Sequence, residues 1–348
     1  ISACLVGSEM CIRDRYTPEG NMSKISYKQA VSDALREEML RDDKVFIMGE
    51  DIAVYGGSYG ITAGFLEEFG EQRVIDTPIA ESGFTNMAVG AALCGYRPIV
   101  EYMFADFVSV CIDAIVNQAA KTHFMTGGQF SAPIVMRTPC CGGTGAAAQH
   151  SQAFEAWFAH TPGLKVILPS NPYDAKGLLK AAIRDDNPVI FYEHKLLYEN
   201  EGEVPDGDYI VEIGKANVVR EGTDVTLISY SLTLLQCLKA AEELAKLGIS
   251  AHVLDLRTVS PLDRPAIIAA AKKTGRVLIV HEAVTYFGVG AEVASAICES
   301  DALFSLKAPV RRLGSAYMPV PFSKPIEQQA LPQIDDIVRE AVRLYKYC

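Results

Sequence analysis

The chain has 348 residues, of which 49% are apolar and 22% are charged. This length exceeds what one hydrophobic core normally supports, and the apolar content excludes a disordered chain, so we expect two globular domains. Asp and Glu outnumber Lys and Arg by 43 to 32, and the net charge of −11 argues against a general nucleic-acid-binding surface. No apolar stretch approaches the roughly 20 residues that span a bilayer.

Nine cysteines are scattered along the chain without a CxxC pair or a nearby His at metal-ligand spacing. This usage fits a reducing compartment, and we expect a cytoplasmic protein. Cys140 and Cys141 are adjacent and could form a redox pair, although their place in a Gly-rich turn favours a packing role.

Residues 1–21 lack the apolar core of a secretory signal and the acid-free, Arg/Ser-rich composition of a transit peptide. Met22, followed by Ser23 and Lys24, reads as the natural start of the protein. We therefore interpret residues 1–21 as a non-native or disordered tail outside the fold.

From Ser26 onward, helical and strand-like patterns alternate. Ser26 and Gln29 have the spacing of a capping box before a helix whose apolar residues recur every four positions. Short apolar runs then predict strands at residues 45–48, 74–75, 98–102, 133–136, 165–168 and 188–192. The stretches between them are long enough for crossover helices, which predicts a parallel sheet with helices on both faces over residues 22–198.

Residues 199–220 are rich in acid, Gly and Pro and show neither helical nor strand periodicity, so we assign them as a linker. A second alternation follows over residues 221–348. It predicts strands at 225–230, 251–256, 276–280 and 308–313, and helices at 234–247, from about 261 to 275, at 290–299 and at 334–345. The predicted fold class is therefore α/β, with two doubly wound domains.

Two glycine motifs partly match the dinucleotide-binding fingerprint, Gly143-x-Gly145 and Gly288-x-Gly290. Pro139 interrupts the strand before the first motif, which also lacks an acidic residue about 20 positions later. The second motif lacks its third glycine. We therefore favour turns and close packing at both, and keep an NAD-dependent oxidoreductase as an alternative function.

Two polar residues stand at junctions where α/β proteins bind ligands. Glu81 follows the strand at 74–75 and begins a helix, where either the helix dipole favours it or it serves as a carboxylate at the ligand-binding edge of the sheet. His150 lies between a Gly-rich loop and an apolar segment, where hydrogen bonds can orient it at the mouth of a cleft. A structural role is the alternative for both residues.

Long motifs then indicate a family. TPIAESGF, RPIVEYMFADF, AAQHSQ, HTPGLKVILPSNPYDAKGLL, RDDNPVIFYEHKLLY and LRTVSPLD occur in this order. Over residues 25–345 the sequence resembles the β subunit of the thiamine-diphosphate-dependent decarboxylase component of a 2-oxo acid dehydrogenase complex, within the transketolase-like superfamily. The stretch EHKLLY resembles the pyruvate and acetoin branches more than the branched-chain branch.

The resemblance implies a thiamine-diphosphate pyrimidine-binding domain followed by a transketolase C-terminal-like domain, and it implies roles for individual residues. Glu81 matches the glutamate that activates the cofactor through a ring nitrogen of its aminopyrimidine, and Phe107 matches the aromatic residue that stacks on that ring. Ile79 and Met103 match apolar residues of the same pocket. His150 matches a histidine that handles protons while the lipoyl group is acylated.

Ions and partners are also implied by the resemblance. A structural potassium ion is expected at the main-chain carbonyls of Ile134, Ala182, Ile183, Asp185 and Asn187. The Gly-Asp-Gly motif with a following Asn, which holds the diphosphate and its magnesium in the family, is absent from this sequence. Magnesium is therefore expected mainly on an α subunit with a second catalytic histidine, in a heterotetramer of two α and two β subunits. The C-terminal domain is expected to dock the dihydrolipoyl acyltransferase core.

We accordingly expect the β subunit of a pyruvate dehydrogenase first component, which takes part in oxidative decarboxylation and acyl transfer to a lipoyl group. Acetoin and then branched-chain 2-oxo acids are alternative substrates, because the substrate pocket is shared with the α subunit. A non-catalytic assembly subunit and a transketolase-like synthase half are further alternatives. Residues 140–143 depart from the family pattern beside His150, which makes them candidates for influencing substrate choice.

Overall fold

Strands and helices alternate along residues 21–347, which the computed structural model describes. The predicted tail, residues 1–21, lies outside this range except for Asn21. The strands are β1 (Met22–Ser26), β2 (Val45–Gly49), β3 (Val74–Asp76), β4 (Arg97–Glu101), β5 (Val135–Cys140), β6 (Lys165–Ile167), β7 (Val189–His194), β8 (Glu201–Pro205), β9 (Asn217–Arg220), β10 (Val225–Ser229), β11 (Ala251–Asp255), β12 (Thr258–Ser260), β13 (Val277–Val284) and β14 (Arg311–Ser315). The α-helices are α1 (Tyr27–Arg41), α2 (Phe65–Phe69), α3 (Glu81–Leu93), α4 (Ala120–Met125), α5 (Glu155–Ala159), α6 (Pro172–Arg184), α7 (Ser231–Lys246), α8 (Arg264–Thr274), α9 (Val289–Cys298), α10 (Lys324–Ala330) and α11 (Ile334–Tyr345).

The first domain is built on a seven-stranded sheet with the strand order β12-β6-β7-β5-β4-β2-β3. All neighbouring pairs are parallel except β12 and β6. Val45, Ile47 and Met48 of β2 are fully buried, as expected for a strand covered by helices on both faces. The predicted parallel sheet is confirmed.

The second domain carries a five-stranded sheet with the order β14-β13-β10-β11-β9. Its neighbouring pairs are parallel except for the edge strand β9, which runs antiparallel to β11. Both domains are therefore open α/β units, in agreement with the predicted fold class.

Local chemistry sets the ends of several helices. The Ser26 hydroxyl accepts a hydrogen bond from the Gln29 backbone N–H at 3.1 Å and so caps α1. The predicted capping box is only half formed, because the Gln29 side chain donates to Asp33 instead. α8 starts later than predicted, at Arg264, because Asp263 caps it by accepting from Ala266 N–H.

The segment predicted as a linker, residues 199–220, contains two short strands. β8 pairs antiparallel with β1, and β9 joins the second sheet. The sequence pattern did not indicate these strands, because edge strands of four or five residues offer too few alternating positions to be recognised. The connection between the two domains shortens to residues 206–216.

The two domains share an interface that reaches into both sheets. β12 follows β11 of the C-terminal domain in the chain but pairs with β6 at the edge of the first sheet. At this edge, Ser260 Oγ donates a hydrogen bond to the Leu164 carbonyl at 3.0 Å. One apolar cluster contains Ile190 and Tyr192 of the first domain together with Ile228 and Leu254 of the second. Side chains from one domain can therefore take part in a site on the other. Within residues 21–347, no helix is both long and apolar enough to cross a lipid bilayer.

Candidate active site

The carboxyl ends of four neighbouring parallel strands meet at one edge of the first sheet. Strands β5, β4, β2 and β3 are neighbours in that order. Glu50 follows β2, Glu81 follows β3 after a short segment, Phe107 lies in the segment after β4, and His150 ends the turn after β5. Open parallel sheets bind ligands at this edge. The structure thus brings the three sequence-predicted residues Glu81, Phe107 and His150 to the same side of the sheet.

Glu81 is the first residue of α3, and its side chain lies in a nearly buried position. The preceding residue, Ala80, offers no side-chain cap, so the free N–H groups and the dipole of the helix favour a carboxylate here. Within residues 21–347, no hydrogen bond or ion pair engages the Glu81 carboxylate. A nearly buried carboxylate without a protein partner is available to a ligand.

Glu50 is a second carboxylate at this edge, and the sequence reasoning missed it. It is 6% exposed, and its Oε1 atom has no hydrogen-bond partner. Burial, and next the negative charge of Glu81, raise the pKa of Glu50 to about 7. The signal that could have found it is similar to the one that singled out Glu81, an acidic residue soon after a strand of the parallel sheet, and Glu50 follows β2 directly.

His150 packs against two phenylalanines with edge-to-face geometry. Its ring centroid lies 4.7 Å from that of Phe104 and 5.4 Å from that of Phe107. Phe104 and Phe107 also contact each other, with centroids 5.9 Å apart. These distances and angles are the ones that aromatic pairs favour, so the cluster holds the imidazole in one orientation.

Lys195 fixes the main chain of His150. Its ammonium group is largely buried, donates a hydrogen bond to the His150 carbonyl oxygen and lies 5.3 Å from the centroid of the Phe104 ring. Just beyond the turn, Gln152 Nε2 donates to Asp106 Oδ1 at 2.8 Å. The end of the turn is therefore anchored to the segment that follows β4.

The first glycine motif binds carboxylates of the protein itself. The N–H of Gly142 donates to Glu282 Oε1 at 2.6 Å, while those of Gly143 and Gly145 donate to the two oxygens of Glu327 at 2.8 and 2.9 Å. Gly143 and Gly145 have φ angles of 92° and 72°, a left-handed conformation that turns both of their N–H groups toward the Glu327 carboxylate. The donors that a dinucleotide phosphate would use are thus occupied by side chains of the C-terminal domain.

The second glycine motif makes room for a buried histidine. A Cβ atom on Gly290 would lie 2.7 Å from Nε2 of His281, and one on Gly288 would lie 2.9 Å from its Cε1. Close packing therefore accounts for this motif, as favoured from the sequence. Burial lowers the pKa of His281 to about 4, so the ring is neutral in the folded protein.

Cys141, His194 and Glu282 place potential metal-ligand atoms within 4.8 Å of one another, but hydrogen bonds account for the arrangement. His194 Nδ1 accepts from the Leu196 N–H at 3.1 Å, so the neutral ring carries its proton on Nε2, which lies 2.7 Å from Glu282 Oε2. A metal on Nε2 would require the proton on Nδ1, facing the Leu196 N–H. The cluster is therefore a hydrogen-bonded contact between the two domains.

The adjacent thiols of Cys140 and Cys141 lie in the same region, with their sulfur atoms 2.9 Å apart. Both side chains are buried. Burial raises the pKa of Cys140, and the hydrogen bond to Cys140 together with burial raises that of Cys141. Protonated, buried thiols are poor nucleophiles, which supports the packing role over a redox role.

A buried ion network lies behind the candidate site. The Arg137 guanidinium makes a bidentate contact with Glu193, at 2.8 and 2.7 Å, and also donates to Glu101. Tyr198 donates a further hydrogen bond to Glu193 at 2.8 Å. The network ties the neighbouring strands β4, β5 and β7 together just below their carboxyl ends.

A cleft of about 390 Å³ lies between the domains, lined on one side by Ser151, Gln152 and Trp157 and on the other by Glu282 and Tyr317. The three predicted catalytic and stacking residues do not line it. The candidate site is instead at the open edge of the sheet.

Comparisons with known proteins reveal the relationship. Residues 23–201 match the family described as "Transketolase, pyrimidine binding domain", and residues 214–337 match "Transketolase, C-terminal domain". The chain is 50% identical over 318 residues to the "2-oxoisovalerate dehydrogenase subunit beta" of Bacillus subtilis (strain 168), which covers 91% of this chain and 97% of that protein. It is 47% identical over 324 residues to the "Pyruvate dehydrogenase E1 component subunit beta" of Rickettsia felis, and this match covers 93% of this chain and 99% of that protein.

The chain belongs to the family of 2-oxo acid dehydrogenase E1 β subunits. This confirms the resemblance seen in the sequence motifs. A solved structure described as "Split gene transketolase, inactive beta4 tetramer" matches with a TM-score of 0.77 over 93% of this chain and 99% of that chain, at 22% identity, and so confirms the fold. Family membership, together with the occupied glycine motifs, argues against the NAD-dependent alternative.

Two residues expected to line the cofactor pocket of an E1 β subunit are at least partly accessible to solvent in the single chain. Ile79, between β3 and α3, is 81% exposed, and Met103, just after β4, is half-buried. An exposed isoleucine at a ligand-binding edge can be buried by binding of either a ligand or a second chain. Their role as pocket residues stays a prediction.

The residues expected to hold potassium in an E1 β subunit lie at the opposite edge of the sheet, near the end of α6. The carbonyl oxygens of Ile183 and Asp185 converge on Nη1 of Arg97, at 3.1 and 3.0 Å. Those of Ile134 and Ala182 each accept one backbone hydrogen bond. The potassium site stays a prediction.

Proposed function

We propose that this E1 β subunit acts with an α subunit to bind thiamine diphosphate, decarboxylate pyruvate oxidatively and transfer the acetyl group to a lipoyl group. The observation that carries the proposal is the unpartnered, nearly buried carboxylate of Glu81 at the ligand-binding edge of a pyrimidine-binding domain. The alternative of a non-catalytic assembly subunit gives no reason for that carboxylate to lack a partner.

Each residue of the candidate site has a chemical task in this proposal. Bound thiamine diphosphate supplies an electron sink for the decarboxylation. Glu81 shares a proton with a ring nitrogen of the aminopyrimidine, and Glu50, with its raised pKa, keeps a proton beside Glu81 near neutral pH and so limits repulsion between the two carboxylates. Phe107 supports the pyrimidine ring, and His150 moves a proton where the lipoyl sulfur receives the acyl group.

The proposal includes an α subunit that completes the cofactor site. Val54, Tyr55 and Ile79 are 85%, 73% and 81% exposed near the carboxyl edge, which leaves an apolar surface for a second chain. The sequence contains no Gly-Asp-Gly motif, so we assign the magnesium ligands mainly to the α subunit. Two α and two β subunits, docking of the acyltransferase core on the C-terminal domain, a structural potassium ion and a cytoplasmic location complete the proposal.

The substrate is proposed as pyruvate, with 2-oxoisovalerate as the second candidate. The stretch EHKLLY and the pyruvate dehydrogenase relative at 47% identity favour pyruvate, while the 50% identity to a 2-oxoisovalerate dehydrogenase subunit favours the branched-chain substrate. Acetoin is the third candidate, because the same stretch also resembles the acetoin branch.

The test is a substrate panel assayed with the assembled enzyme. The chain is co-expressed with its cognate α subunit, and turnover of pyruvate, 2-oxoisovalerate and acetoin is measured with thiamine diphosphate, magnesium and a lipoyl domain as acceptor. We expect kcat/KM for pyruvate to exceed that for each of the other two by about tenfold or more, and the β chain alone to be inactive. Preference for 2-oxoisovalerate would select the second candidate, and no turnover of any of the three would refute the proposed function.

A further inference from the structure

Two glutamates of the C-terminal domain hold the turn that ends at His150. Glu282, in β13, receives the Gly142 N–H at 2.6 Å. Glu327, in α10, receives the N–H groups of Gly143 and Gly145 at 2.8 and 2.9 Å. Three main-chain groups of one short turn are therefore bound by carboxylates from the other domain.

The buried carboxylate of Glu327 depends on this contact for its hydrogen bonds. It is 1% exposed, and within residues 21–347 no cation forms an ion pair with its carboxylate. A buried carboxylate needs strong donors, and the N–H groups of Gly143 and Gly145 are the donors it has in the described chain. The interaction therefore binds the turn and the helix α10 to each other.

The far end of the turn is connected to the same contact. Glu282 Oε2 also accepts a hydrogen bond from His194 Nε2 at 2.7 Å. The residue after His194, Lys195, donates a hydrogen bond to the His150 carbonyl oxygen. Burial opposes ionisation of Glu282, but His194 and the Gly142 N–H outweigh it, so its pKa is lowered and it stays charged. The turn is thus fixed at its start by two carboxylates and at its end by the ammonium group.

We propose that Glu327 and Glu282 are positioning residues for His150, so that the C-terminal domain sets the geometry of acyl transfer on the pyrimidine-binding domain. The inference rests on the proposed function for the role of His150 in acyl transfer. Neither glutamate contacts the predicted cofactor-binding residues in the described chain, and both act through the main chain of the turn.

The first arm of the test measures the contact itself, independently of activity. In Glu327→Gln the side chain keeps its shape, but one of the two oxygens becomes an NH₂ group that faces a backbone N–H. Hydrogen–deuterium exchange on the assembled α/β enzyme should show faster exchange in the peptide covering residues 142–150. Ser260→Ala, which removes a different hydrogen bond between the domains, is the matched control and should leave that peptide unchanged.

The second arm is a double-mutant cycle. We expect Glu327→Gln to lower lipoyl-coupled turnover on the order of 10- to 100-fold while decarboxylation with an artificial electron acceptor changes less than about twofold. In a His150→Ala background the same substitution should cause no further loss, because both act through one residue. Glu282→Ala, which removes the acceptor of the Gly142 N–H, provides a second variant should Glu327→Gln assemble poorly.

Unchanged exchange at residues 142–150 in both glutamate variants would overturn the inference. Faster exchange combined with losses that multiply in the His150→Ala background would also overturn it, because the glutamates would then act independently of His150. A wild-type enzyme without lipoyl-coupled activity would refute the proposed function instead, and the exchange comparison would still report whether the glutamates hold the turn.

Discussion

The rings of Phe107 and His150 meet edge to face, with their centroids 5.4 Å apart. Phe107 lies in the segment after β4 and His150 ends the turn after β5, and the parallel pairing of these strands brings the two segments to one edge. The residue expected to support the pyrimidine ring thus contacts the residue expected to handle protons during acyl transfer. Packing against Phe107 therefore holds His150 next to the proposed cofactor position.

Replacing His150 with alanine should separate the two half-reactions. Lipoyl-coupled turnover should fall on the order of 10²-fold, because a positioned proton-transfer group is lost, while decarboxylation measured with an artificial electron acceptor should fall much less. His160→Ala removes an exposed histidine and serves as the control. Equal losses in both assays would contradict the assignment.

Replacing Glu50 with glutamine should remove one pH dependence of stability. The pKa of Glu50 is about 7 in the folded protein against 4.5 ordinarily, so the folded state binds a proton that the unfolded chain releases. Its stabilising contribution is present below pH 4.5 and is lost as pH rises to about 7. Thermal unfolding midpoints of the purified chain at pH 5 and pH 8 should therefore differ less in Glu50→Gln than in wild type. An unchanged difference would contradict the raised pKa, and the exposed Glu67→Gln is the control.

Replacing Arg137 with methionine should destabilise the chain strongly. The substitution leaves the buried carboxylates of Glu101 and Glu193 without their cation, which typically costs about 3–5 kcal/mol. Arg311→Met breaks an exposed pair with Glu340 and should cost about 0–1 kcal/mol. Urea unfolding of both variants makes the comparison. A loss below about 1 kcal/mol in Arg137→Met would show that the network is not needed for stability.

Replacing His281 with asparagine should flatten the stability profile in acid. Burial lowers the pKa of His281 to about 4 from 6.5, so the unfolded chain binds a proton that the folded state excludes. Stability should therefore fall as pH drops from about 6.5 to about 4, by up to about 3 kcal/mol from this group. Unfolding midpoints across this range should change less in His281→Asn than in wild type. Parallel curves for the two proteins would contradict a neutral buried His281.

The sequence predicted those parts of the fold whose signals are local. The helix predicted at 334–345 coincides with α11, because its apolar residues form one continuous face. The strands β8, β9 and β12 were missed, because they have only three to five residues and form by pairing with distant strands. Their existence depends on tertiary contacts that no short window of sequence contains.

The candidate site likewise has residues that the sequence pattern indicates and contacts that only the structure shows. Glu81 and His150 stand at strand–helix junctions that are visible in the sequence, and Glu50 has the same signal but was not singled out. Glu282 and Glu327 reach the turn only because the C-terminal domain docks against the first sheet. Nothing in the residues around either glutamate indicates that contact, so only the structure could reveal it.

Glu81 is the residue on which the proposed cofactor chemistry depends most, and the most direct measurement of its role is the rate at which the thiazolium proton of the bound cofactor exchanges with solvent. The assembled α/β enzyme is mixed with deuterated water, quenched rapidly in acid and analysed by NMR, for wild type and Glu81→Gln, with Glu67→Gln as the exposed control. We predict that Glu81→Gln retains bound cofactor but exchanges the proton on the order of 10²- to 10⁴-fold more slowly, because an amide shares a proton poorly with the pyrimidine ring. Exchange at the wild-type rate in Glu81→Gln would contradict the assignment of Glu81 as the activating group.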